Sequence, residues 1–575
     1  MQAEIINGTF TDNDIGSVLR VFGNSSVTIT GTRIKAGTGG ITAGNRCRLL
    51  LINSTVASVD SDVNGACLSA SGNAKVMLVN TSLRNCSSRR SGGAIPAADA
   101  AVINMTQNSS ITDCSAEQGG GGFSLTDNAA MLASDSSFIN NTAGGPDSQD
   151  KGRGGAAMLS LYASLTATNC LWEGNQARMD GGVMAAEVQQ TTVTFTNCTF
   201  QGNTAASKEV GGAIRVGSAT QLLVKGSRFF SNSAPMFAGA IAATASSNVT
   251  LVNVDIYNNT SGSMGGALGV WNSAHMLVQD SNMWGNLADC WGGGVAAVFN
   301  EGVLNISRSN LWNNTGRQIG GAVSAWHLSQ VDISACNLSG NAASRRGGAV
   351  RVADSATLVL RDSILTGNHV GRLERCQEDD SPPNRPNTSC GGAIFVGDTS
   401  EGRPEFASKV ELVNTIVASN SAGRGGGLCA EPSAATSSAM PDKAKVTVLL
   451  GDNTTFEYNS GSPGSDVYAL AAALLSMSPG GSNLNSSSST VHWNVSCGMG
   501  TFLDPVRGTC VECAAPSFIL EQGANRSTTQ CQRCPEAAEC FGGAVLVAKP
   551  KFYHTHGVRN AGGSVPTCRL DTPTR

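Results

Sequence analysis

The chain has 575 residues, of which 38 are Lys or Arg and 42 Asp or Glu, for a net charge of −4, with charged residues at 14% and hydrophobic ones at 41%. That balance excludes a disordered polyelectrolyte, and the absence of a basic tract speaks against nucleic acid or anionic lipid as a partner. Gly at 69 residues, with aromatics at only 5%, points to small residues packed in many tight turns.

In chain order, the start MQAEIINGTFTDND has no charged segment leading into an apolar run, so no signal peptide is recognisable. The longest apolar run, Tyr468 to Met477, is about half of the ~20 residues that a membrane helix needs. Against a cytosolic location stand 18 cysteines and many Asn-x-Ser/Thr sequons, with Asn53, Asn80, Asn104, Asn248, Asn305, Asn453 and Asn525 as glycosylation candidates. An extracellular or cell-surface chain is expected, cut from a longer protein that carries the leader and any membrane anchor.

From the start to residue 477 the sequence repeats itself. A turn seen in FINN, FQGN, FFSN, IYNN, MWGN, LWNN, LSGN and LTGN recurs, and its last residue is here numbered zero; the zeros include Asn141, Asn175, Asn203, Asn232, Asn259, Asn286, Asn314, Asn341 and Asn368. Asn420 and Asn459 continue the series after insertions, and Cys114, Cys86, Val59, Gly37 and Asn13 hold the same place upstream. Most steps are 27 to 29 residues. Offsets −10, −8, −5 and −3 read as apolar and inward, as in Val193, Phe195, Cys198 and Phe200, which is two short strands joined by a bend. A Gly pair follows most zeros and opens a third strand, as in GGAI at 211–214 and GGAV at 347–350. The period predicts an all-β fold, a single-stranded right-handed parallel β-helix of about 16 coils of ~27 residues, in which strands stacked ~4.8 Å apart build a rod on the order of 75 Å long. The zero Asn is expected at a left-handed corner, its amide bonded to the Asn of adjacent coils. The Gly pair is expected where φ is positive or a neighbour leaves no room for a Cβ.

The pairing of GGA[ILV] with FxxN resembles the repeat of chlamydial polymorphic outer-membrane proteins and the β-helix regions of large surface proteins of green algae and other protists. The resemblance implies a surface rod associated with adhesion. Parallel β-helices also include polygalacturonases, and Gly31-Thr-Arg-Ile-Lys35 is similar to their RIK element; the coil register accounts for it, with Ile34 at −3 and Gly37 at zero. Acidic residues are scattered, the six histidines share no offset, and no phosphate loop, nucleophile elbow or HExxH is present. No catalytic residue, cofactor or metal is expected, and a polysaccharide lyase or hydrolase is the alternative.

Insertions interrupt the coils at 144–153, 369–390, 398–409 and 430–445. Cys376 and Cys390 bracket a Pro-rich excursion and suggest a disulfide closing it, whereas the stacked pairs Cys170 with Cys198 and Cys86 with Cys114 read as small apolar fillers in preference to disulfides. Residues 478–496 form a Ser/Asn-rich linker, and 497–575 a cysteine-rich module with Cys497, Cys510, Cys513, Cys531, Cys534, Cys540 and Cys568. Two CxxC pairs fit either disulfides, which a small secreted module favours, or a four-thiolate zinc site. The run GMGTFLDPVRGTCVEC followed by CQRC resembles an ephrin-receptor-like or TNF-receptor-like repeat, and CFGGAVLVAKPKFYHTHG resembles the segment that leads toward membrane spans in algal proteins of this type, a resemblance that implies an ectodomain.

One outward feature is a ligand-site candidate. Phe230, Tyr257, Trp284 and Trp312 share offset −2, and Trp271, Phe299 and Trp326 share a position five residues after the Gly pair. Two such columns are expected to form one exposed apolar patch for a glycan or a protein, if they do more than stiffen the rod.

Overall fold

In the computed structural model the described residues run from 1 to 470 apart from short stretches, the longest at 374–388, 398–407 and 432–445; beyond 470 only backbone strand segments are described. Three parallel sheets run the length of this region, the first with 17 strands, close to one per expected coil. The wrap is a right-handed β-helix. No helix here is long and apolar enough to cross a membrane.

The coil around Asn203 shows how the sequence makes each turn. Thr192–Thr196 lies in the first sheet, Thr199–Gln201 and Thr204–Ala205 in the second, and Ile214–Val216 in the third. Each pairs in register with the same segment of the next coil, Val193 with Leu222, Phe200 with Phe229 and Ile214 with Ile241. Alternation sends Val193, Phe195 and Phe200 inward, where they are buried. Because the register repeats, like residues stack: Phe138 on Trp172 at 3.9 Å and Phe200 on Phe229 at 4.2 Å.

Besides the Gly pair, three kinds of corner close the coil, all in left-handed backbone. Asn197 takes φ +51 at offset −6, Gly202 φ +61 at offset −1, and Ser218 with Ala219 φ +49 and +60 between the third sheet and the next coil. The left-handed corner is therefore at −1 and not at the zero Asn, whose side chain points inward instead. Asn141 donates both its backbone N–H and its Nδ2 to Oδ1 of Asn175, each at 3.0 Å, and Nδ2 also to the Ile111 carbonyl. The same bonds link Asn175, Asn203, Asn232, Asn259, Asn286, Asn314, Asn341, Asn368, Asn420 and Asn459 in sequence. Within the Gly pair the roles divide: Gly211 has φ +73, while a Cβ on Gly212 would run into the Gly239 carbonyl of the next coil.

Offset −5, read as apolar, is mostly a second polar ladder. The backbone N–H of Thr81 donates to Ser109 Oγ, that of Cys198 to Ser227 Oγ and that of Cys336 to Ser363 Oγ. A buried strand end leaves an N–H that the flat ladder of the sheet does not reach, and a short hydroxyl satisfies it where a hydrocarbon would not.

The disulfides correct two expectations. Cys390 bonds to Cys429, with Cα atoms 5.6 Å apart, so it does not close the excursion with Cys376, which lies outside the described residues. The parallel register explains the choice, since the strand holding Cys429 pairs directly with the one that follows Cys390. Cys86 is not a filler but bonds Cys67 across the interior. Cys114, Cys170 and Cys198 are buried free thiols, as are Cys47 and Cys336.

Past the helix, Val491–Asn494 adds a strand to the third sheet. The short strands that follow pair antiparallel, Thr501–Leu503 with Cys510–Glu512 and Ala538–Cys540 with Leu546–Ala548. The bonding of Cys497, Cys510, Cys513, Cys531, Cys534, Cys540 and Cys568 lies outside the described side chains.

Candidate functional site

The −2 residues alternate with the buried −3 residues, so the second sheet turns them outward. Phe230, Tyr257, Trp284 and Trp312 are half-buried and stacked, with centroids 5.0, 4.4 and 4.9 Å apart and planes within 8°. The third sheet carries the other column: Trp271, Phe299 and Trp326, at 5.5 and 4.9 Å. Phe237 leans against Trp271 and Phe299. In-register stacking at the coil repeat produces both columns.

The two columns do not merge into one patch. They belong to different sheets, and Tyr257 and Trp271 of one coil are 14 residues apart in a period of about 27, half a circuit. Parallel rings at such spacing also cover one another's faces, so inside a column only edges are presented. The terminal rings alone keep a face.

Near the last ring of the third-sheet column lies a cleft of about 170 Å³, lined among others by Trp291, Ser324, Trp326, His327, Arg351 and Asp354. Of these the sequence had singled out only Trp326. Trp291 sits beside a Gly pair in a coil one residue longer than its neighbours, and the others come from consecutive coils, Ser324 with Arg351 and His327 with Asp354 at shared offsets where the residue type varies from coil to coil. No signal in the linear order marks them.

A second constellation escaped the sequence for the same reason. Arg153, Asp180, Glu187 and Arg215 come from successive coils and interlock, with Arg153 Nη1 2.6 Å from Glu187 and Arg153 Nε and Arg215 Nη1 each 3.3 Å from Asp180 Oδ2. Arg215 also contacts Glu187. Burial holds the Arg215 guanidinium below its ordinary value, opposed by the charge of Asp180. Two cations and two carboxylates cancel, which suits a clamp between coils.

For metal ligands, Cys390, Cys429 and Glu431 cluster. Their two sulfurs are consumed in the disulfide, which leaves no thiolate to coordinate an ion. Of the glycosylation candidates, Asn53, Asn80, Asn248, Asn305 and Asn453 are exposed and Asn104 is half-buried, while Asn525 lies outside the described residues.

Comparison with known proteins finds the family described as right handed beta helix region over residues 17–187 and 181–406. Neither the curated proteins nor the solved structures contain a match. With more than half of its length matched, this chain belongs to the right-handed β-helix family.

Proposed function

We propose that the chain is a non-enzymatic structural or adhesive protein of the extracellular space or cell surface, an ectodomain that meets a glycan or protein ligand through its outward aromatic residues. The observation that carries this reading is the pair of aromatic columns: seven large rings left half-exposed on consecutive coils of a rod whose interior is otherwise filled. Half-exposed aromatic rings supply the kind of apolar contact area that glycan and protein ligands use. Cofactors have no role in it.

The test is to mix the protein with a panel of cell-wall polysaccharides and follow each polymer by size-exclusion chromatography with light scattering. Co-elution of intact polymer, reduced by Trp284→Ala with Trp312→Ala or by Trp326→Ala, is the expected result. Unchanged binding in all these variants removes the aromatic residues from the reading. A polysaccharide lyase or hydrolase is the second reading, favoured by Asp180 and Glu187 lying together with two arginines on adjacent coils. Shortened polymer, lost in Glu187→Gln, would establish it instead.

A further inference from the structure

Inside a stacked column no ring offers its face to a ligand, so attention falls on the ends. Phe299 covers one face of Trp326 at 4.9 Å. The register that pairs Ala325 with Val352 brings Ala353 under the other face, and among the described residues no ring stacks there. The cleft opens beside this ring. Trp291, 45% exposed, is another of its lining residues. Ser324 is fully buried in the lining, and among the described residues its Oγ has no hydrogen-bond partner. Arg351 is directly opposite Ser324 on the next strand, and Asp354 lies just beyond that strand; both are nearly buried.

We infer that this cleft is a subsite for one neutral pyranose ring of a glycan, bound against Trp326 and Trp291 with its hydroxyls on Ser324, Arg351 and Asp354. The inference rests on the adhesive reading for its ligand class and deepens it by naming the subsite and the sugar. Four properties fit. At about 170 Å³ the cleft is smaller than the roughly 300–1,000 Å³ of sites for drug-sized ligands, and holds one ring. An indole face matches the apolar C–H face of a pyranose. A hydroxyl, a guanidinium and a carboxylate supply the mixed donors and acceptors that a polyol needs, and the buried Ser324 hydroxyl gains a partner only if the occupant has polar edges. Arginine and aspartate together cancel in charge, which favours a neutral sugar over a uronate.

The full chain labelled with 5-fluorotryptophan reports each of its seven tryptophans by ¹⁹F NMR, with Trp291 and Trp326 assigned from Trp→Phe variants. It is titrated with cello-, xylo-, manno- and chito-oligosaccharides and, as the acidic comparison, homogalacturonan oligomers. The expected result is a saturable shift of the Trp326 and Trp291 signals with one neutral series. Ser324→Ala, checked for folding by near-ultraviolet circular dichroism, should then weaken binding by about tenfold while Tyr458→Ser, at an exposed ring of a later coil, leaves it unchanged. Shifts confined to Trp284 and Trp312, or polymer co-elution with no oligosaccharide shifting Trp326, would overturn the subsite and leave the adhesive reading standing. A response to galacturonan oligomers alone would overturn the neutral sugar. Silence in both the titration and the co-elution assay would overturn the subsite together with glycan adhesion.

Discussion

A single asparagine per coil carries much of the interior polarity. Each zero Asn satisfies main-chain groups of the preceding coil and the amide of its neighbour, so Asn259→Ala leaves the Asn232 N–H and Nδ2 without their acceptor and the Phe229 carbonyl without its Nδ2 donor, while Asn286 Oδ1 keeps only the backbone N–H of residue 259. We expect a loss of about 3–5 kcal/mol, read from urea unfolding, because several buried polar groups of the preceding coil lose their partner at once. The free thiols are equally enclosed. Burial pushes the Cys114 thiol up to about 12 and that of Cys336 to about 11, so both stay protonated at neutral pH. Iodoacetamide at pH 8 should leave them unmodified in the native protein and label them fully in urea, as mass spectrometry of the digest would show. The sequons also read differently once placed. Asn53, Asn80 and Asn453 occupy the left-handed −6 position, where Asn is favoured, and are followed by the hydroxyl ladder at −5. The fold alone therefore generates Asn-Ser/Thr-Ser/Thr, and a high sequon count is weaker evidence for secretion than it looks.

Among the elements, the Gly pair is the least replaceable corner. Gly212→Ala forces a Cβ into the Gly239 carbonyl of the next coil, whereas Gly202→Ala meets open space and has only its left-handed φ of +61 to overcome. The first should cost several kcal/mol and the second about 1 kcal/mol, compared by thermal unfolding. The disulfide Cys390–Cys429 spans 39 residues that include an excursion. By loop-closure entropy its removal in Cys390→Ser costs up to about 4 kcal/mol. The effect should concentrate in the last coils, visible as faster proteolysis after residue 390 with the earlier coils unchanged, since each coil contacts chiefly its neighbours.

For the molecule as a whole, stacking fixes the dimensions. Seventeen strands in the first sheet at ~4.8 Å make a body on the order of 75–80 Å long, which small-angle scattering of the 1–477 region would measure. A globular radius of gyration would contradict the fold. Along this rod the outside is divided: aromatic edges on the second sheet, and on the third sheet a charge clamp at 153–215 followed by the column that ends at the cleft. A binding rod of this kind keeps a constant scaffold and varies what faces outward.

The sequence by itself determined the architecture, because coil after coil repeats the same strand alternation, most with a Gly pair and an Asn, and a period of about 27 with no helical stretch has few ways to bury its apolar face. It also placed the rings in their two columns, since register alone puts equal offsets above one another. It did not reveal that −5 is a hydroxyl ladder, nor that the left-handed residue precedes the zero Asn, because small residues serve buried and turn positions alike. Cys67–Cys86, Cys390–Cys429, the charge clamp and the cleft were decided only in three dimensions. Each joins residues of different coils, or opposite walls of one coil, at offsets that insertions and corners shift, and their proximity is a property of the closed turn and its stacking that linear spacing does not carry.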